Sequence, residues 1–357
     1  MIAVSQILII PSPQRQPLNT TSANNTPRQL TFSSAADIDP ALSPEGTKIA
    51  YSSNGSGIFQ LMTVRIDGSH EIQLTHFNAD ARLPKWTGDG KRIVFLVCAG
   101  QGERTLHIIS TDGNGLSSIA PEVSVSSFAI SPDSKNILFD GMTSNSNESH
   151  IYEANLINYS YHELFEGAFP SWSPDGKSVV YSHEMNGNYV VMTRELDNSG
   201  SAHNLTSPLY SSIKPFFTGD GNSVYFMTDS QGYWSEWVSN LNGTEATEVG
   251  NFNFDLDINY TTTISSDYSR LSIAAVAPDG SATLMLFLID PPPPNPNAPF
   301  RGLYDAPVGY NFGSAGCSLS VPSLNQDATT VVYSILANGG QHLWILSSIH
   351  PISPYGT

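Results

Sequence analysis

The chain has 357 residues, of which 39% are hydrophobic and 10% aromatic, so it can bury a large core and wholesale disorder is excluded. Only 13% of the residues are charged, and 32 acids against 15 bases give a formal net charge of −17. A nucleic-acid partner is therefore not expected, because phosphate would be repelled. The polar surface must come mainly from Ser, Thr, Asn and Gly, which favours strands and turns and predicts an all-β fold.

Residues 1–27 precede every repeated element and form an extended arm. Its first part is apolar, and Ile7, Leu8, Ile9 and Ile10 have strand propensity. Two interpretations stay open: a leader or flexible tail, or a strand whose four apolar residues add to the edge of a neighbouring subunit. A complete signal peptide is not expected, since a basic segment and an A-x-A site are missing. No apolar run reaches the roughly 18 residues of a transmembrane helix.

One tetrapeptide pattern organises the rest of the chain. The first six copies begin 42–47 residues apart, and the seventh follows after 60. A period of about 40–45 residues is typical of β-propeller blades, which have four strands each. The copies are Ser43-Pro44-Glu45-Gly46, Thr87-Gly88-Asp89-Gly90, Ser131-Pro132-Asp133-Ser134, Ser173-Pro174-Asp175-Gly176, Thr218-Gly219-Asp220-Gly221, and the degenerate Ser265-Ser266-Asp267-Tyr268 and Asn325-Gln326-Asp327-Ala328.

Each copy is predicted to be a tight turn between the first and second strands of a blade, because Pro, Asp and Gly each favour such a turn. Alternating strands follow, such as residues 92–96 and 178–182. Asp-Gly or Asn-Gly turns at 67–68, 112–113 and 242–243 are strong hairpin signals between the third and fourth strands. The sequence therefore predicts a seven-bladed propeller of four-stranded antiparallel blades.

The ends of the chain are predicted to close the ring. The segment Arg28, Gln29, Leu30 and Thr31 resembles outer strands that end in Leu-Thr, yet it precedes the first blade. The last blade has a third strand at 342–346 and then almost ends. We therefore expect the N-terminal segment to supply the missing outer strand, which removes an unpaired edge.

The repeat resembles that of the TolB-like propellers, a WD40-like (PD40) repeat with the motif P-x-W-S-P-D-G-K. Residues 170–177 match this motif throughout, and residues 84–91 match it nearly. The resemblance covers 28–348 and implies one propeller domain, with 349–357 as a C-terminal tail. For function it implies several classes, namely periplasmic interaction modules, peptidase gating domains and surface proteins.

A proline-rich insertion at residues 290–299 explains the long last interval. It is predicted to be a polyproline II segment within the connection of the sixth blade. It is either a stiff exposed loop or a contact element for a partner, with Pro292 and Pro293 as its contact residues.

Two acidic pairs precede innermost strands and are expected on loops around one mouth of the central channel. They are Asp37 with Asp39, and Asp255 with Asp257, the second pair followed by Asn259. Oxygen ligands that converge there would suit calcium, which is the only cofactor hypothesis. Ordinary solvated loops are the alternative. Carboxylates on different blades could also perform acid–base chemistry, as in propeller glycosidases or lyases.

No linear catalytic motif occurs: G-x-S-x-G, a P-loop, H-E-x-x-H and C-x-x-C are all missing. The sequence thus favours a non-catalytic scaffold for protein interaction and assembly, with protein partners that include copies of itself. The alternatives are a monomeric TolB-like periplasmic binding module and a propeller enzyme with carboxylates at the channel mouth. An extracytoplasmic location, whether secreted, periplasmic or on the cell surface, is expected.

Two further residue types bear on location. Cys98 and Cys317 are predicted to be free thiols, because they fall on blades that are not neighbours. Eight N-x-S/T sequons are possible glycosylation sites if the chain is exported: Asn19, Asn24, Asn54, Asn147, Asn158, Asn204, Asn242 and Asn259.

Overall fold

The computed structural model describes residues 28–197, 201–232 and 234–250. Beyond these it describes the strands at 261–264, 270–276, 282–288, 303–306, 323–324, 330–337 and 340–347. The predicted arm at 1–27, the proline-rich insertion and the tail lie outside the described residues.

The strands pair into seven four-stranded sheets, and every pairing is antiparallel. The first sheet contains β2 (Asp37–Leu42), β3 (Lys48–Ser53), β4 (Gln60–Arg65) and β5 (Ile72–Gln73). The second contains β6 (Asp80–Trp86), β7 (Arg92–Cys98), β8 (Arg104–Ser110) and β9 (Ser117–Ile119). The third contains β10 (Val123–Ile130), β11 (Asn136–Thr143), β12 (His150–Asn155) and β13 (Tyr161–Glu166).

The remaining sheets follow the same order. The fourth contains β14 (Ala168–Trp172), β15 (Ser178–Met185), β16 (Asn188–Glu195) and β17 (His203–Asn204). The fifth contains β18 (Ser212–Phe217), β19 (Ser223–Thr228), β20 (Ser235–Asn240) and β21 (Thr247–Gly250). The sixth contains β22 (Thr261–Ile264), β23 (Arg270–Val276), β24 (Ala282–Leu288) and β25 (Leu303–Ala306).

The closing sheet joins the two ends of the chain and confirms the predicted closure. It contains β26 (Ser323–Leu324), β27 (Thr330–Ala337), β28 (Gly340–Ser347) and, as outer strand, β1 (Arg28–Gln29). In β1, Arg28 pairs with Ile345 and Gln29 with Trp344.

The Leu-Thr ending that the N-terminal segment shares with the outer strands of the first and fourth blades explains why the closure is specific. Leu30 donates its N–H to Leu343 O at 2.8 Å, and Leu343 donates back to Thr31 Oγ1 at 2.9 Å. The same two bonds join Leu205 and Thr206 to Val191, where the strands are close in sequence. The N-terminal segment therefore makes the contacts that an ordinary outer strand makes within its own blade.

The five tetrapeptides that lie within the described residues form the predicted turns. In the fourth blade Gly176 N–H donates to Ser173 O at 2.9 Å, and the Ser173 hydroxyl donates to Asp175 Oδ1 at 2.6 Å. Gly176 has φ +70°, which glycine adopts with little strain. The tryptophan before the turn has a further role, since Trp172 Nε1 donates to Ala129 O of the preceding blade at 3.0 Å.

The apolar core lies between neighbouring blades. One buried cluster contains Leu61 of the first blade and Phe95 of the second, and another contains Tyr51 of the first blade and Leu343 of the closing blade. Burial of each such side chain contributes roughly 1.5–3 kcal/mol. Successive innermost strands contact one another, as β2 does with β6 and β14 does with β18, so these strands border the central channel. An all-β propeller of four-stranded antiparallel blades, as predicted, is confirmed.

Candidate functional site

A bulge recurs in the innermost strands of the first, second, fourth and fifth blades. In each, a residue with positive φ precedes a proline, and the pairing with the next strand shifts there. The four residues are Asp39, Leu83, Phe169 and Lys214, with φ between 52° and 54°. Non-glycine residues in this region cost on the order of 1–3 kcal/mol and cluster at functional sites. Bulges also redirect side chains next to active sites, so the channel wall is the candidate site.

Three basic side chains lie on these innermost strands, although the chain has only 15 bases against 32 acids. Arg82 and Lys85 belong to β6, and Lys214 belongs to β18. Although the net charge of the chain is −17, three of its 15 basic residues thus lie on strands that border the channel.

Arg82 is neutralised by a carboxylate of the preceding blade. Its Nε lies 2.6 Å from Asp39 Oδ2, and both side chains are almost fully buried. The N–H of Leu83 also donates to Asp39 Oδ2, at 3.3 Å. The guanidinium lies over the Phe59 ring at 4.7 Å. Burial raises the pKa of Asp39, while the charge of Arg82 and its hydrogen bond lower it; because the pair is closely hydrogen-bonded, we take Asp39 to be ionised.

Lys85 has a different environment. Its Nζ donates to Phe128 O at 2.9 Å and lies 4.8 Å from the centre of the Phe128 ring. No carboxylate within the described ranges forms an ion pair with it. The residue is exposed, yet desolvation by the surrounding strands lowers its pKa to about 8. Both properties fit a side chain that is open to solvent inside an enclosed channel.

Lys214 is half-buried at the bulge of the fifth blade. Burial lowers its pKa to about 8, as for Lys85. Blades two and five are not neighbours, so the two lysines approach the channel from separate parts of its wall.

Asp37 lies on the other side of the first blade, at its seam with the closing blade. It is 1% exposed, and burial raises its pKa. The hydroxyls of Ser53 and Thr31 favour its charged form, but neither completes a hydrogen bond, and both carboxylate oxygens lack a partner among the described residues. His342 lies near it, also buried.

The prediction that the first acidic pair lies on a loop at the channel mouth, before the innermost strand, is therefore wrong. Asp37 and Asp39 are inside β2, with exposures of 1% and 2%. Because the bulge at Pro40 does not end β2, the strand includes both Asp37 and Asp39. Acidic residues beside a proline are more typical of a loop, so the sequence pattern favoured a loop here. Asp255, Asp257 and Asn259 lie outside the described residues.

The structure describes only some of the residues predicted to contact a partner or to bind a metal. The contact residues Ile7, Leu8, Ile9, Ile10, Pro292 and Pro293 lie outside the described residues, so a partner for the arm or the insertion stays a prediction. Within the part that the structure describes, no three His, Cys, Asp or Glu side chains come together as a metal site. The calcium hypothesis also stays a prediction.

Five of the eight sequons are described. Asn147, Asn158, Asn204 and Asn242 are exposed, whereas Asn54 is half-buried and its Oδ1 accepts the Ala36 N–H at 2.7 Å. Asn19, Asn24 and Asn259 are not described. Cys98 is half-buried, and Cys317 lies outside the described residues. Over the described residues, no helix is long and apolar enough to cross a membrane.

Sheets, closure and turn motif together define a TolB-like β-propeller. The curated relatives agree: the chain is 25% identical to dipeptidyl-peptidase 5 of Porphyromonas gingivalis over 301 residues, covering 64% of this chain and 43% of that protein. It is 23% identical to the Tol-Pal system protein TolB of Francisella tularensis, covering 57% of this chain and 48% of the relative. The chain thus spans less than half the length of these relatives. No protein-family model matches the chain.

Solved structures share the fold at low sequence identity. Oligogalacturonate lyase from Vibrio parahaemolyticus has a TM-score of 0.70 and 10% identity, covering 92% of this chain and 94% of that one. A puromycin-hydrolyzing peptidase from Mycobacterium tuberculosis has a TM-score of 0.63 and 16% identity, covering 90% and 53%. TolB from Acinetobacter baumannii has a TM-score of 0.52 and 15% identity, covering 92% and 86%.

These relatives contradict the prediction of a non-catalytic scaffold. Both the sequence relatives and the fold neighbours include enzymes, among them a lyase and peptidases. The prediction relied on the absence of linear motifs, and such an absence does not exclude an enzyme whose site residues come from separate blades.

A second oligogalacturonate lyase structure holds manganese. Among the residues that the structure describes, no group of three metal-ligating side chains is present.

Proposed function

We propose that this chain is a propeller enzyme that acts on a carboxylate-bearing oligosaccharide, with Lys85 and Lys214 facing the ligand in the central channel. The observation that carries this proposal is the location of these lysines on innermost strands of a strongly acidic chain. The similarity of fold and size to oligogalacturonate lyase supports the substrate class.

Electrostatics favour this ligand. In an enclosed channel the effective dielectric constant is lower than in bulk water, so an ammonium attracts a carboxylate more strongly. Arg82 is already paired with Asp39, whereas the Lys85 ammonium bonds to a backbone carbonyl and a ring face. Lys85 therefore keeps its charge for a ligand, and the surrounding acidic surface discourages unspecific binding of polyanions.

The lysines also suit elimination from a uronate. Such a reaction needs a base that removes the proton next to the carboxylate and a cation that stabilises the negative charge that develops. With a pKa of about 8, each lysine is mostly charged at neutral pH but has an accessible neutral form. One lysine can thus neutralise the carboxylate while the other accepts the proton. As the carbon–carbon double bond forms, the bond from the ring carbon to the glycosidic oxygen breaks, and the protonated lysine returns the proton to that leaving oxygen.

A product assay tests the proposal. Purified chain is incubated with oligogalacturonate, and the unsaturated product is followed by its ultraviolet absorbance. We expect product from the wild type and a rate at least about tenfold lower for Lys85→Met. The matched control is Lys177→Met, since Lys177 is exposed in a turn beside Asp175 and should leave the rate unchanged. Absence of both product and binding would contradict the proposal.

A peptide substrate is the second candidate, favoured by the sequence similarity to dipeptidyl-peptidase 5. A peptide carboxylate would meet the same two lysines. Binding of an acidic tripeptide without binding of oligogalacturonate would favour this candidate over the first.

We further propose that the protein works outside the cytoplasm. The similarity to Tol-Pal system proteins and the exposed sequons support this location. Fractionation of the native host, with the protein found only in the cytoplasm, would contradict it.

A further inference from the structure

The inner strand of the second blade is tied to the first blade at two points. Near its start, Arg82 Nε and Leu83 N both donate to Asp39 Oδ2, at 2.6 and 3.3 Å. At its end, Trp86 Nε1 donates to Ala41 O at 2.8 Å. The bulge of β6 thus lies between an ion pair and an indole hydrogen bond, both anchored on β2.

Lys85 lies between these two ties. On its other side the ammonium reaches the third blade, where it bonds to Phe128 O at 2.9 Å and lies over the Phe128 ring. The backbone is fixed from one neighbouring blade and the side chain from the other. Little freedom remains for the position of Nζ relative to the channel.

A comparison with the fourth blade, which has the same bulge, shows which of these contacts are specific to the blade of Lys85. The fourth blade has the equivalent indole bond, from Trp172 Nε1 to Ala129 O at 3.0 Å. It has Ala168 at the position of Arg82, and Ser171 at the position of Lys85. The indole bond is therefore common to both blades, whereas the Asp39–Arg82 pair occurs in the blade that carries the lysine.

We propose that Asp39 is a positioning residue for Lys85: with Arg82, and supported by the Trp86 indole bond, it fixes the bulge from which the ammonium reaches a carboxylate in the channel. This inference deepens the proposed function and rests on it for the identity of the ligand. Asp39 itself does not touch the ligand, because it is buried and bonded to Arg82.

The test compares three variants with the wild type. Asp39→Asn combined with Arg82→Met removes the ion pair without leaving a buried lone charge, which would itself unfold the protein. Trp86→Phe removes only the indole bond, and Trp172→Phe removes the matching bond in the blade without the lysine. Far-UV circular dichroism and cooperative thermal unfolding establish that each variant is folded.

Two readouts are measured on each variant. The first is the titration of Lys85 in ligand-free protein, followed by NMR of its side chain, and the second is the affinity for trigalacturonate. We expect the Asp39/Arg82 double variant and Trp86→Phe to move the Lys85 pKa from about 8 toward its ordinary value and to lose about tenfold in affinity. Trp172→Phe should change neither readout.

The two proposals fail in different ways. If the folded double variant and Trp86→Phe leave the Lys85 titration unchanged, the positioning role is wrong, whatever the ligand. If the titration moves as expected but the wild type binds no trigalacturonate, the positioning role stands and the proposed substrate class is wrong.

Discussion

The hydroxyl oxygen of Thr31 accepts a 2.9 Å hydrogen bond from the backbone N–H of Leu343, 312 positions further along the chain. The equivalent bond within the fourth blade, from Val191 N–H to Thr206 Oγ1, spans only 15 positions. The same hydrogen bond therefore joins neighbouring strands within the fourth blade and joins the two ends of the chain in the closing blade.

Removing this hydroxyl should loosen the closure. Thr31→Ala leaves the buried N–H of Leu343 without an acceptor, so we expect the free energy of unfolding to fall by about 1–3 kcal/mol, as measured by urea denaturation. Thr206→Ala is the matched control and should lose a similar amount. Only Thr31→Ala should also speed the hydrogen exchange of β28 amides. Equal exchange of β28 in the two variants would show that Thr31 does not hold the ring closed.

A buried glutamate makes stability depend on pH. Glu236 on β20 is 2% exposed, and burial raises its pKa to about 8. Between its unfolded value of 4.5 and about 8, the folded state binds the extra proton, so stability should fall as pH rises through this window. A change in pKa from 4.5 to about 8 corresponds to a loss of several kcal/mol in the free energy of unfolding. Glu236→Gln should remove most of this loss.

Chemical denaturation at about pH 5 and about pH 9 measures this effect. Glu122→Gln is a control, since Glu122 is exposed and should leave the pH dependence as in the wild type. A wild type whose stability is the same at both pH values would contradict the prediction for Glu236.

Asp37 should destabilise the folded protein at neutral pH. It is buried with both oxygens unpaired among the described residues, at a position where the fifth blade has the buried Ser212. Because burial raises the pKa of Asp37, its charged form is disfavoured in the folded protein. At neutral pH this charge therefore lowers the free energy of unfolding.

Asp37→Ser should therefore raise the melting temperature at neutral pH, and the gain should shrink as pH falls toward the ordinary pKa of 3.8. Glu122→Gln is the control for loss of an exposed charge. A lower melting temperature for Asp37→Ser would mean that Asp37 has a partner that stabilises its charge.

Ligand binding should follow the charge of Lys85. Its pKa of about 8 predicts that affinity for an acidic oligosaccharide falls as pH rises through this value, because the neutral amine no longer attracts a carboxylate. Isothermal titration calorimetry at about pH 7 and about pH 9 measures the change, with the neutral sugar maltotriose as control ligand. An affinity that does not depend on pH over this range would show that neither channel lysine binds the carboxylate.

Much of the fold could be predicted from sequence because its determinants are local. The turn at Ser173 and Asp175 and the Leu-Thr ending at Leu30 and Thr31 each act through hydrogen bonds with near neighbours or a paired strand. Such short patterns recur in several blades, so even a closure between distant ends could be recognised by its match to the others.

The candidate site could not be predicted in this way. Lys85 and Lys214 come from separate blades, and neither differs in sequence from a surface lysine. The sequence indicates Asp39 as a candidate ligand, but it does not indicate that its partner is Arg82, 43 positions away. Only the packing of successive inner strands brings the pair together, and only enclosure lowers the lysine pKa values. One signal was present: a proline in the middle of an inner strand, as at Pro40 and Pro215, marks the bulge.

The most direct test of the account is calorimetric titration of trigalacturonate into the wild type and Lys85→Met at about pH 7, with Lys177→Met as control. We expect saturable binding by the wild type and by Lys177→Met, and a loss of affinity of about tenfold or more for Lys85→Met. Equal affinity of all three proteins, or no binding by the wild type, would contradict it.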